Sequence, residues 1–543
     1  MSESAQPRLA QPIDKLAIAL IVLLSLIMAL LIWGGRACED ECLFYAGAKV
    51  SSFSWDDKTI SGQDRAFILT FNRPMDRDSV EENLTISPSL PGKISWSGLR
   101  LAYTLDNPAP YGETYQVTLA GAKERFPSQE QSGAEIQPFD AQFRSRDRAL
   151  AYVGTEGQEK GRLVLSNWTR SQTAILTPKN LNVFDFKPDP QGNFLLFSAA
   201  DSSQGIEGIG YLKLYKVSTR LDSSNSRVHA GKPFVLRLSA DGAGDIKAAG
   251  NPQPRALANA PASRSDFDAV ASVGRSSTEN GSAVELVLDN QKYQNNKFDI
   301  SQDGTTIVVQ RLNRSNPQDY GLWKLVEGKL PQVFTNNQVG DFLITPDSQA
   351  VAVAQGEGIA LLPLKDYAEP LDFLSRFGRV LDFTADGTGA AMINYNTDRE
   401  DLKYTRSLYY VNSQGVEKEL LNTDGSIQNC QFDPTVEHLY CWLTELAKKG
   451  VYIEKPYLAE INLKTEKINT LVTVPKYQES QISIAPDGLG ILFERSLNKI
   501  NSSLTGEKKN SIWLAIPTGD TADTTTSSIE QLPFIGFHPQ WLP

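Results

Sequence analysis

Three aspartates, Asp185, Asp299 and Asp382, interrupt apolar runs of strand length: Val183–Gly192, Lys297–Gly304 and Val380–Gly387. A carboxylate in such a run has two uses. It can help hold a cation or a basic segment of a partner, or it can take hydrogen bonds from nearby backbone N–H groups. Asp189, Asp303, Asp347, Asp386 and Asp487 stand instead in the turns that close similar runs. An Asp there caps the turn, and we read these five as structural. The three histidines, His229, His438 and His538, are scattered, and His438 and His538 fall in or near predicted turns, where a solvated turn residue is the expectation. Of four cysteines, Cys430 and Cys441 flank the hairpin turn Phe432–Leu439. Counting outward from that turn sets them opposite each other, placed for a disulfide in an oxidising compartment, with a reduced pair as the alternative. Cys38 and Cys42 form a C-x-x-x-C pair that can join internally or to a second chain. Two cysteines alone are too few for a zinc or redox assignment. There is no G-x-S-x-G, H-E-x-x-H, P-loop or dinucleotide fingerprint. The residues therefore designate no catalytic, cofactor or metal site.

The elements that carry these residues repeat. An apolar strand ending in a Pro, Asp or Gly turn recurs from Val183 to Gln540, and a second apolar strand follows most copies, as in Phe194–Ser198 and Thr306–Gln310. Third and fourth strands complete each unit, for example Gly321–Leu325 and Val333–Phe334. The turn positions Gln302, Pro346, Ala385, Pro434, Pro486 and Pro539 lie 39 to 53 residues apart. Four strands at that period predict the blades of a β-propeller over residues 148–543. Seven blades are expected, with six or eight as the bounds. The strand around Pro533–Trp541 lacks partners of its own, and the opening Ala149–Val153, Arg162–Leu165 and Ala174–Leu176 lacks a first strand. Pairing them closes the ring and removes its open edges. The Pro-Asp-Gly turns resemble those of the TolB-like, WD40-like propeller repeat. Residues 219–264, rich in Ser, Ala, Gly, Asn and Pro, read as a solvated insertion.

Residues 50–145 alternate at strand length between turn signals and predict an all-β sandwich. Phe71-Asn72-Arg73-Pro74-Met75-Asp76, then Ser79-Val80, Leu84-Thr85-Ile86-Ser87-Pro88 and Tyr111-Gly112-Glu113-Thr114-Tyr115, resemble the bacterial SbsA-type Ig-like domain. That resemblance implies a spacer or adhesive module on an exported bacterial protein and no catalysis.

Ahead of it, Leu16–Trp33 is uncharged, and with Gly34 and Gly35 it is long enough to span a bilayer. We expect a transmembrane signal anchor at 16–35 between a cytoplasmic tail, 1–15, and a juxtamembrane linker, 36–49. A lipoprotein lipidated at Cys38 has to accept Gly35 and Arg36 in its cleavage box. Cleavage as an ordinary signal peptide also stays open. Basic Arg8 and Lys15 before the span orient the large C-terminal part out of the cytoplasm. Over 543 residues, 41% hydrophobic and 22% charged, the net charge is −11, which argues against a general nucleic-acid grip.

The expectation is an inner-membrane protein that presents a propeller, in the periplasm, to a protein or glycan partner. Two other functions are carried beside it: an enzyme acting on a sugar or peptide in the channel, and a component of an envelope assembly in the manner of TolB.

Overall fold

The structure is a computed structural model. It describes residues 20–26, 28, 47–126, 135–221, 276–277, 283–335, 339–356, 358–365, 372–448, 451–474, 478–496, 510–517 and 528–543. Cys38, Cys42 and nearly all of the 219–264 insertion lie outside them. Of the proposed anchor, residues 20–26 and 28 are described: they are helical, and their apolar side chains, Leu20 to Leu24 among them, are exposed. Among the described residues no helix is long and apolar enough to cross a membrane.

The described chain divides into two compact units. The first comprises the described residues within 1–56, 66–104 and 116–142, and the second those within 57–65, 105–115 and 143–543. In the first, strands alternate as their sequence dictates. Ala66–Phe71 buries Phe67, Leu69 and Phe71 and turns the residues between them outward, and Val117 and Leu119 are buried likewise. The Phe53 ring meets Phe67 edge-on at 5.3 Å and Phe139 at 6.0 Å. In the Pro-Met-Asp run Met75 is buried, and Asp76 caps the helix Arg77–Asn83 by accepting the Ser79 N–H at 3.0 Å.

The second unit is propeller-like. Five antiparallel sheets follow one another, with inner strands Leu181–Pro188, Tyr293–Ile300, Phe342–Ile344, Arg379–Phe383 and Ile427–Phe432. We call them blades 2 to 6. One further sheet holds two blades joined by a shared strand, Ser528–Trp541. Its first half pairs with Asn510–Ile516 as the fourth strand of blade 7, whose inner strand is Ser483–Ile484. Its second half pairs with Ala149–Gly154, Gly536 opposite Gly154 and Trp541 opposite Leu150, as the inner strand of blade 1. The sequence predicts Pro533–Trp541 as a strand of blade 1 alone, without its pairing to blade 7.

Second strands do not alternate. Ala149–Gly154 and Gly389–Asn394 are buried at every residue, because a mid-blade strand is packed on both faces by neighbouring blades. The core is correspondingly a series of clusters between blades. Val153, Leu165, Phe186, Phe197 and Leu542 form one of them, joining blades 1 and 2.

Candidate functional site: the channel lining

Five of the seven inner strands share an irregularity. Extra residues bulge out of register between Val183 and Asp185, Asn295 and Phe298, Val380 and Asp382, Ile427 and Asn429, and Phe537 and Gln540. A bulge re-aims the residues beside it. Here it turns polar groups toward the next blade across the channel wall.

At least one polar contact joins neighbouring inner strands at every seam. Between blades 1 and 2, Gln540 Nε2 donates to the Phe186 carbonyl at 3.1 Å, and His538 Nδ1 lies 3.0 Å from Asp185 Oδ1. Between 2 and 3, Lys187 Nζ meets Asp299 Oδ1 at 2.6 Å. Between 3 and 4, Asp299 Oδ2 accepts the Ile344 N–H at 2.9 Å, and Lys297 pairs with Asp341. Arg379 Nε joins 5 to 4 by donating to Asp341 Oδ2 at 2.8 Å. Asp382 Oδ2 accepts the Phe432 N–H at 2.9 Å between 5 and 6. Gln431 Oε1 accepts the Ile484 N–H at 3.0 Å between 6 and 7, and Ser483 Oγ accepts the Trp541 N–H at 2.9 Å between 7 and 1.

The charges are mutually tuned. Burial pulls Lys187 down, but Asp299 outweighs it and leaves the ammonium above its ordinary value. Burial wins at Lys297 and lowers it. Burial opposes ionisation of Asp341, yet Lys297 and Arg379 hold its carboxyl below the usual range. Burial pushes Asp382 up to about 7, only partly offset by the backbone N–H groups it takes and by the charge of Lys187. Burial also holds the His538 imidazole below its ordinary value, against the pull of Asp185.

Asp185, Asp299 and Asp382 thus lie at the seams between inner strands, on different partners: a histidine with one amide, a lysine with two amides, and two amides. Among the described residues no three His, Cys, Asp or Glu side chains are grouped to hold a metal ion. The turn aspartates cap their turns, as in Asp303 accepting the Thr305 N–H at 3.0 Å and Asp386 the Thr388 N–H at 3.0 Å. His538 corrects the sequence reading. It is buried rather than solvated, because the bulge at Phe537–Gln540 and a left-handed backbone (φ 55°) turn it inward. The spacing also missed Lys187, Lys297, Asp341 and Arg379. The recurrence of charged residues of both signs on successive inner strands was the available signal. In blade 6, Cys430 and Cys441 stand directly opposite on paired strands, both buried, and their sulfurs are bonded.

Away from the channel, exposed apolar side chains stand on or beside the connections between second and third strands in three blades. These are Ile209 and Tyr211 in blade 2, Tyr395 and Tyr404 in blade 5, and Ile453 at the hairpin tip of blade 6. Antiparallel order puts all such connections at one end of the ring. Leu330, Val416 and Leu489 lie on turns at the other.

No protein-family model matches the chain, so the SbsA-type resemblance of residues 50–145 finds no support there. No curated protein matches it. Solved structures similar to it include an oligogalacturonate lyase in complex with manganese, at 11% identity over 66% of this chain and 83% of that one, TM-score 0.40. TolB from Acinetobacter baumannii is 9% identical over 85% and 83%, TM-score 0.36. A putative 6-phosphogluconolactonase from Bacteroides fragilis is 11% identical over 77% and 100%, TM-score 0.36. Likeness at this level says nothing of activity, and the propeller-like fold rests on the chain's own strand pairing.

Proposed function

We propose that this is a membrane-anchored, extracytoplasmic recognition protein in which a seven-bladed propeller is presented to a protein partner. In this reading residues 16–35 form the anchor and the SbsA-like residues 50–145 the spacer. The observation that carries it is a division of labour. Polar side chains of the inner strands bond across the seams, while three tyrosines and two isoleucines stand exposed on or beside the connections at one end of the ring. Exposed tyrosine supplies contact area at low entropic cost, as protein interfaces use it. The buried Cys430–Cys441 disulfide supports an oxidising compartment.

Photo-crosslinking in intact cells tests the reading. A crosslinking amino acid at Tyr404, which is 84% exposed, is expected to give polypeptide adducts, and the same group at Leu489, 63% exposed at the opposite end, none. Equal yields at the two positions, or adducts with lipid or glycan alone, overturn it.

A further inference from the structure

The junction of blades 7, 1 and 2 differs from the other seams in holding a histidine whose proton is dictated by its neighbours. Gln540 Nε2 reaches both the Phe186 carbonyl, at 3.1 Å, and His538 Nε2, at 2.8 Å. A carbonyl oxygen only accepts, so the amide nitrogen must face Phe186 and the Gln540 orientation is fixed. His538 Nε2 then receives a hydrogen bond and carries a lone pair. The single ring proton of the neutral imidazole sits on Nδ1 and is donated to Asp185 Oδ1 at 3.0 Å.

We propose that this junction is an acid-sensitive latch, in which a proton taken up at His538 Nε2 breaks the Gln540 clasp that holds the ring-closing strand Ser528–Trp541 to blade 2, while the His538–Asp185 contact stays. A proton on Nε2 puts two N–H donors face to face at 2.8 Å. Turning the Gln540 amide to offer its oxygen to the imidazolium sets that oxygen against the Phe186 carbonyl. Either way the Gln540 clasp between blades 1 and 2 is lost.

The groups around His538 act in opposed directions. From blade 2, Asp185 favours the imidazolium and Lys187 disfavours it, and the Phe186 ring packs 5.2 Å away. Behind Lys187 stands Asp299 of blade 3. From blade 7, Glu494 Oε2 accepts the His538 N–H at 3.1 Å and an Asn510 Nδ2 hydrogen at 3.3 Å. Burial prevails and lowers the His538 pKa. The folded value lies below the unfolded one, so the stabilisation is complete above about pH 6.5 and is lost as the pH falls through the folded value. Glu494, raised to about 7 by burial, favours the folded state toward low pH instead. Global stability therefore blurs the latch, and the test must be local.

Hydrogen exchange of the full chain in detergent, corrected for intrinsic rates, is followed from about pH 7.5 to 5. The peptide covering Ser528–Trp541 is expected to lose protection by up to roughly tenfold per pH unit once His538 titrates, while Thr306–Asn313 of blade 3 does not. His538→Asn keeps a donor for Asp185, tolerates the left-handed backbone and cannot titrate, so its closing strand is expected to lose this pH dependence. A pH-independent wild-type strand, or an unchanged dependence in His538→Asn, overturns the latch. Should that variant fail to fold, 15N-histidine spectra of the wild type decide: Nδ1–H at neutral pH is expected, and Nε2–H overturns the proposal.

Discussion

Asp382 holds an amide of the neighbouring blade while its own carboxyl is pushed up to about 7. Between its ordinary value of 3.8 and about 7, the folded chain keeps a proton there that the unfolded chain has released. Its contribution to stability is therefore full below the lower value and is lost as the pH rises through the upper one. Asp382→Asn, which keeps an oxygen for the Phe432 N–H, is expected to be more stable than wild type near pH 8. Its urea midpoint should also vary less with pH between about 5 and 8; Glu494, likewise near 7, leaves a residual slope. At this scale the sequence was half legible. The turn aspartates could be read because their partners are two to five residues away, as Thr305 is from Asp303 and Phe194 from Asp189. The channel aspartates could be placed but not paired. Asp299 binds Ile344 and Lys187, each on another blade, and no local spacing encodes a neighbour that depends on blade register.

Among the elements, the hairpin of blade 6 carries the clearest conflict between sequence and backbone. The equivalent turn position is glycine with positive φ at Gly304 (70°), Gly387 (70°) and Gly488 (76°), but Val436 adopts φ 60° in blade 6. A β-branched residue is strained in that region by about 1–3 kcal/mol. Val436→Gly is expected to stabilise the protein by about 1 kcal/mol net, since glycine regains part of that as unfolded-state entropy. Chemical denaturation at constant pH checks the sign. Strand positions were largely legible because apolar runs and turn residues alternate along the whole repeat. The bulges were not, since an added residue in an inner strand leaves the hydrophobic pattern nearly intact and shows itself only as a change of register.

For the whole propeller-like unit, the decisive element is the shared strand Ser528–Trp541. That the two sequence extremes of the repeat complete one blade was readable from their missing strands. That one strand serves two blades was not, because Ser528–Ile535 carries Glu530 and Gln531 and is mostly exposed, so it lacks an apolar signature. Deleting residues 528–543 is expected to remove the unit's native fold rather than trim it, because it uncovers the fully buried Ala149–Gly154 and blade 7's third strand together. Loss of near-ultraviolet circular dichroism with a shift to aggregates in size-exclusion chromatography checks this. Survival of a monomer with native spectra would count against it. There is also a consequence for biogenesis. The ribosome delivers Ala149–Gly154 almost four hundred residues before the segment that will lie beside it. Throughout translation that nascent edge has no native mate, so the chain's safety while it is being made depends on whatever shields it until synthesis reaches Trp541.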